Sequence, residues 1–390
     1  GAKFRDGLLD VGRDSGDKST LEQAQGMINT GEFFYASDSY RMALIYFFGA
    51  QLLLEEEGLT NTLAYPKVKA DLGMLYHTMG RYTLAETYTQ EALDLRKEML
   101  GEQSSAFAAS LNNLAVLSKD VGEYTEAENR IDRALNISGS QDGSESLPYA
   151  FLLNNKAMLS YSVGRYDDAE AMMRQSLEIA GETMKEKEGN YQRLMTNLAM
   201  VYTDMGQYEK AEQIYLNAID IHNKRIAIGK KSDPDYAHML NNLAALYVTM
   251  DRLDEVEPLL EESILIYQKK FGQDHPAYAG AVNDLARFRI LQGDYEEALS
   301  LNNESVPIRK RKLGEEHPLY IESLEDRAII WWKMGRMDKA EEQYEEVMET
   351  TIGYIDKFFA PMSESEKTKF WNRLYPRLQR YYSFAIDRAA

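Results

Sequence analysis

Gly80-Arg81-Tyr82-Thr83-Leu84-Ala85-Glu86 decides the fold, because the same turn returns along the chain at a fixed distance. The pattern Gly-x-Tyr-x-x-Ala-Glu recurs at Gly122, Gly164 and Gly206. A degenerate copy begins at Asp251, and two further copies begin at Gly293 and Gly335. Successive steps are 42, 42, 42, 45, 42 and 42 residues. One period before Tyr82 and Ala85 stand Tyr40 and Ala43, which adds an eighth unit with Asp38 in the glycine place. Self-similarity of this length is the mark of a stacked solenoid, whose units bury their apolar faces only against their neighbours.

Each unit reads as two helices. In the third, Leu111, Leu114, Ala115 and Leu117 fall on one face of a helix over about 105–120, at helical spacing and not in alternation. Gly122 follows, where a C′ residue takes the left-handed conformation that glycine adopts without a Cβ clash. A second helix starts near Tyr124 and carries Ala127, Ile131, Ala134 and Leu135. Ala85 and Ala92, Ala169 and Ser176, and Ala211 and Ala218 repeat the small residues of that stripe, which lets the paired helix approach closely. The spacers repeat too. Phe271-Gly272-Gln273-Asp274-His275-Pro276 and Leu313-Gly314-Glu315-Glu316-His317-Pro318 end one helix at glycine and start the next at proline. The one register change adds three residues at about 226–235. Insertions in such arrays map to loops between helices.

Residues 1–18 match no unit and read as a flexible lead-in; 19–354 read as the array, and 355–390 as a capping helix or linker. Ser363 and Glu366 fit a capping box. The helix after them carries Phe370, Trp371, Leu374, Leu378, Tyr381, Tyr382 and Phe384, enough to cover the exposed apolar end of an array.

Composition narrows the function. The 390 residues carry 44 Lys+Arg against 63 Asp+Glu, a net charge of −19, which repels phosphate backbones and makes nucleic acid an unfavourable partner. With no cysteine, disulfides, thiolate metal sites and a cysteine nucleophile are excluded. No apolar run has the length of a bilayer span, so no membrane insertion is expected. Gly1-Ala2 opens the chain without a methionine, which leaves a removed leader open and the compartment undecided between cytoplasm and periplasm of a bacterium. The five histidines show no His-x-x-x-His pairing, and there is neither a Gly-x-x-x-x-Gly-Lys loop nor a Gly-x-Ser-x-Gly elbow. No enzyme, metal or cofactor is expected.

The Gly-x-Tyr-x-x-Ala turn, with Leu-Ala eight and seven residues before its glycine, resembles the tetratricopeptide repeat. The 42-residue period, the Leu-Asn-Asn-Leu-Ala helix and the Leu-Gly-x-x-His-Pro spacer resemble the longer form seen in kinesin light chains and many bacterial proteins. The resemblance spans about 20–350. It implies an all-α, right-handed superhelical solenoid of about eight helix-turn-helix units with a C-terminal capping helix. It also implies a scaffold that binds a peptide or protein partner in its concave groove. The tail, Phe359-Ala360-Pro361-Met362-Ser363-Glu364 with Phe370-Trp371-Asn372, is similar to a linker that precedes a caspase-like CHAT domain in certain bacterial proteins. That implies a second reading: the amino-terminal regulatory half of a protease-like effector, with a catalytic domain attached beyond Ala390.

In tetratricopeptide arrays the first (A) helices line the groove, and an asparagine one residue before Leu-Ala often grips a peptide backbone or its terminal carboxylate. Those positions here are Asp71, Asn113, Asn155, Asn197, Asn242, Asp284 and Asp326. An amide offers a donor and an acceptor, so Asn113, Asn155, Asn197 and Asn242 could hold an extended main chain. They could equally bond a neighbouring helix. Lys67, Lys119 and Arg193 are expected to face the groove without forming a continuous basic set, which favours a general peptide groove over a carboxylate receptor. Further on, Arg287 and Arg289 precede Trp331 and Trp332. Trp331 reads as core, and Trp332 with Arg287 as an aromatic anchor.

Overall fold

The computed structural model describes residues 19–37, 39–184, 189–229, 234–315, 317–358 and 364–389. Asp38, the lead-in, the middle of the inserted segment and the Phe359–Ser363 stretch of the tail, with its N-cap, lie outside the described residues. All regular structure among the described residues is helical, in seventeen α-helices and one short 3-10 turn, Leu253–Glu255. They are α1 Thr20–Ala36, α2 Tyr40–Glu56, α3 Ala64–Thr78, α4 Tyr82–Leu100, α5 Ser105–Val121 and α6 Tyr124–Gln141. There follow α7 Leu147–Ser162, α8 Tyr166–Met184, α9 Gly189–Asp204, α10 Tyr208–Ala227, α11 Pro234–Thr249 and α12 Val256–Phe271. The series ends with α13 Pro276–Gln292, α14 Tyr295–Leu313, α15 Pro318–Lys333, α16 Met337–Phe358 and α17 Glu364–Ala389.

The chain divides into two units, one made of Gly1–Val121 and Asn129–Asp142, the other of Gly122–Glu128 and Gly143–Ala390. In the first, α1 packs on α2 and α3 on α4. In the second, α7 to α16 pack as consecutive hairpins, and A helices also touch the next A helix, as α9 does α11 and α13 does α15. Consecutive hairpin packing of this kind is the solenoid that the period predicts.

One small-to-large pairing recurs inside the hairpins. A small residue on the A helix sits sixteen positions before a buried residue on the B helix: Ala115 and Ile131, Ala157 and Met173, Ala199 and Tyr215, Ala244 and Leu260, Ala328 and Tyr344. In the first two hairpins the small residue is glycine. A Cβ on Gly31 would enter the Phe47 ring, and one on Gly73 would collide with the Thr89 hydroxyl and come within 3.1 Å of the Thr89 backbone nitrogen. The stripe on the B helices is likewise fully buried at Ala85, Ala92, Ala127, Ala134, Ala169, Ser176, Ala211 and Ala298, and Val256 replaces alanine in the degenerate sixth unit.

Turn chemistry follows the motif. Gly80, Gly122, Gly164, Gly206, Gly293 and Gly335 all have positive φ, and Asp251 keeps the same turn at φ 58°, the one non-glycine residue there among the described residues. The spacer histidines are N-caps: Nδ1 of His275 accepts from the Ala277 N–H and Nδ1 of His317 from the Leu319 N–H, each at 3.1 Å, with proline next in the chain. Ser19 and Ser146 cap α1 and α7 by the same logic.

The last helix, α17, lies on α15 and α16. Phe384 is buried against Ala328, Ala340 and Tyr344. Glu325 is only 3% exposed, and its two oxygens accept from Arg377 Nε at 2.9 Å and Arg380 Nε at 2.6 Å. A buried carboxylate needs such full pairing. The amphipathic expectation for this helix is met at Leu378 and Phe384, whereas Trp371 and Tyr382 face outward, because α15 and α16 cover one side only.

Two substitutions test this packing. Gly73→Ala is expected to cost about 1–3 kcal/mol, since backbone must yield as well as the Thr89 side chain; chemical denaturation of the full chain reads it. Asp251→Gly relieves a left-handed residue and is expected to stabilise by about 1 kcal/mol, seen as a rise in Tm.

Candidate partner-binding surface

At three places a residue one position before the expected contact positions bonds an expected contact position of the adjacent A helix. Asn154 and Asn197 lie 43 residues apart on α7 and α9, and Asn197 Nδ2 donates to Asn154 Oδ1 at 3.1 Å. Asn241 Nδ2 donates to Asp284 Oδ2 at 3.0 Å, again 43 residues away, and Asn283 Nδ2 donates to Asp326 Oδ2 at 2.7 Å. Three of the neighbouring A-helix pairs of the second unit, α7 with α9, α11 with α13 and α13 with α15, are thus cross-linked by rungs one residue longer than the repeat. Asn197, expected as a peptide contact, spends one donor on a rung and keeps its remaining amide capacity. Asn242 is half-buried with its Nδ2 3.4 Å from His238 Nδ1. Asn155 is half-buried on α7. In the first unit, Asn113 is half-buried on α5, Lys67 is paired with Glu32 and Asp71, and Lys119 with Asp120.

Arg287 is tied to α15. Its Nε donates to Asp326 Oδ2 at 2.7 Å and its Nη2 meets Glu322 Oε1 at 2.7 Å. Although burial works against the charged form, Asp326 and Glu322 hold the guanidinium pKa above its ordinary value. Arg289 points to Glu257 and Glu297. Trp332 is half-buried beside α17: its Nε1 donates to Asp387 Oδ2 at 3.0 Å, and its ring meets Phe384 edge-on at 5.9 Å. Trp331 packs in the same cluster beneath Arg336 and Lys339.

Two cavities open on this part of the second unit and share Arg287 and Leu291. The first, about 440 Å³ between α11 and α13, has an apolar wall of Val248, Leu260, Phe288 and Leu291 and a polar edge of Asn241, Asn242, Asp284 and Arg287. The second, about 690 Å³, lies among α13, α15 and α17 and is lined by Leu319 and Ile329 with Glu322, Glu325, Asp326, Arg377 and Arg380. Beneath it runs a buried polar seam. Asn302 donates to the Ser323 carbonyl at 2.9 Å and accepts from Arg327 Nε at 2.9 Å, while Arg309 Nη1 donates to Ser323 Oγ at 2.9 Å. Sequence reasoning found Asn242 and Arg287 but not Asp284 as a charge, Phe288 or Glu325. A signal existed for the last: at the register of Asn112, Asn154, Thr196, Asn241 and Asn283, Glu325 alone is charged.

Burial pushes the Asp284 carboxyl up to about 6, against the attraction of Arg287 and Arg309 and with the help of Glu322 and Asp326. Among the described residues there is no cluster of His, Cys, Asp and Glu fit to hold a metal, and no helix long and apolar enough to cross a membrane.

These hairpins, with their left-handed turns and A-helix surface, define a helical-repeat protein of the kind that acts as an interaction scaffold. The family model described as tetratricopeptide repeat matches residues 106–182, 190–269, 235–311 and 278–351, and a second model of the same description matches 68–105. The chain belongs to the tetratricopeptide repeat family. No curated protein matches it. Among solved structures it is similar to the Rap conjugation gene regulator of plasmid pLS20 in complex with the Phr* peptide, at 14% identity and TM-score 0.57 over 87% of this chain and 98% of that one. It is also similar to a Rap protein complexed with Competence and Sporulation Factor, at 13% identity and TM-score 0.56 over 93% and 99%. BtubC (BKLC) from P. vanneervenii matches at 21% identity and TM-score 0.46, over 65% and 94%.

Asp284 gives a pH test with a definite sign. Its folded pKa lies above the unfolded value of about 3.9, so the native state holds the proton longer, and stability is lost as pH rises from about 4 to 6. Asp284→Asn is therefore expected to raise stability by about 1 kcal/mol at pH 7.5 and to change nothing at pH 4. Thermal melts at the two pH values measure it.

Proposed function

We propose that this chain is a non-catalytic scaffold that binds an extended peptide, or an extended segment of a protein, along the A-helix face of its second unit. The cavity between α11 and α13 carries the reading. Its apolar wall takes one large apolar side chain of the ligand, and Asn242 and Arg287 at its edge meet the ligand main chain. Asn155 and Asn197 extend the same amide row toward α7, and Trp332 marks its C-terminal limit beside α17. Asn113 offers the same chemistry on α5 of the first unit. The complex of one structurally similar Rap protein with the Phr* peptide supports the reading. Main-chain recognition by amides tolerates varied sequences, while the apolar cavity selects one anchor.

A displayed random-peptide library selected on the full chain tests this. Selected peptides are expected to share one large apolar residue and to lose at least about tenfold in affinity against Ala245→Arg, which fills the cavity from an exposed lining position, and several-fold against Asn242→Ala. Peptides that bind these variants as tightly as the native chain, or a selection that enriches none, would refute it.

A further inference from the structure

The outer face of α17 is an apolar stripe. Trp371, Tyr375, Tyr382 and Ile386 are 43, 47, 61 and 70% exposed and fall on one side of the helix. The charged side chains described from Trp371 onward point elsewhere: Arg377 and Arg380 hold Glu325, Arg388 holds Asp338 and Glu341, and Asp387 accepts from Trp332. α17 meets α15 and α16 through Phe384 and through the pairs of Arg377 and Arg380 with Glu325. Each preceding A helix of this unit packs on a following B helix, and among the described residues no helix packs on the stripe side of α17.

We propose that this stripe is a two-fold interface with α17 of a second copy of the chain, the two helices running antiparallel. The spacing carries the assignment. Trp371 lies as far before the Leu378–Gln379 bond as Ile386 lies after it, and Tyr375 and Tyr382 are related in the same way. An isologous contact requires every residue of a patch to meet its symmetry mate. An antiparallel pair centred on that bond sets Trp371 against Ile386 of the partner subunit and Tyr375 against Tyr382 of the partner subunit. None of the four paired positions is charged, the symmetry-related Arg377 and Arg380 are held on Glu325, and the uncharged Gln379 sits beside the axis. The four side chains offer on the order of 400 Å² per subunit, about half of a standard interface, so the dimer is weak and reversible.

Sedimentation equilibrium of the full chain is expected to show a monomer–dimer equilibrium with a dissociation constant on the order of 100 µM. Tyr382→Asp with Ile386→Asp, both exposed in the monomer, is expected to weaken it at least about tenfold with an unchanged melting profile. The absence of native cysteine permits a direct check of geometry. Gln379→Cys is expected to cross-link to dimer with a short bis-maleimide, and Leu265→Cys, exposed on α12, is not. A chain that stays monomeric at millimolar concentration, a dimer indifferent to the aspartate pair, or equal cross-linking at both positions overturns the proposal.

Discussion

Everything in this chain depends on how closely the two helices of a hairpin approach. The distance is set by one small residue on the A helix and one buried residue sixteen positions later on the B helix. Where the later residue is Ile131, Met173, Tyr215, Leu260 or Tyr344, alanine suffices opposite it. Opposite Phe47 and Thr89 the chain uses Gly31 and Gly73, because even one methyl group would meet ring or backbone. Protein interiors are packed to crystal density, so the pairing fixes the separation of the axes and passes that geometry to the next hairpin. The seventh hairpin departs from the rule. Asn302 stands opposite Ala286, fully buried, and is made tolerable by its bonds to the Ser323 carbonyl and Arg327.

A second constraint acts along the stack and not across it. The rungs Asn154–Asn197, Asn241–Asp284 and Asn283–Asp326 join A helices 43 residues apart, so each spans one repeat plus one residue. Apolar packing fixes how far apart helices lie, whereas a directional amide bond also fixes how far one slides along the other. The rungs therefore set the offset of the A helices they join, and with it the spacing of any groups those helices present. The last rung is rebuilt as an ion pair, with Glu325 in the asparagine place and two arginines of α17 as its partners.

The fold was legible in the sequence because its determinants are local and repeated. Period, left-handed turn and buried small stripe can each be read within one unit, and even the degenerate Asp251 turn kept its conformation. The places of Asn113, Asn155, Asn197 and Asn242 on the A helices were legible for the same reason. Their bonding was not, since the partner of Asn197 lies a full repeat away and is itself an asparagine. The cavity between α11 and α13 was not legible either: it is a shape left between helices, made by Ala244 and Ala245 as much as by Phe288. The orientation of Trp332 is set by Asp387 and Phe384, 55 residues away or nearly so, on a helix that falls outside the repeat.

The helix starts in this array use two kinds of cap. A serine hydroxyl, as at α1 and α7, turns about its own bond to meet an N–H. An imidazole that accepts through Nδ1, as at α13 and α15, is a rigid plane whose acceptor stands at one fixed angle. Proline follows each of these histidines and fixes the next φ, so the cap and the first helical torsion are both set before the helix begins. Pro318 and Leu319 line the larger cavity, so part of its wall is a helix start with little freedom to adjust to what enters.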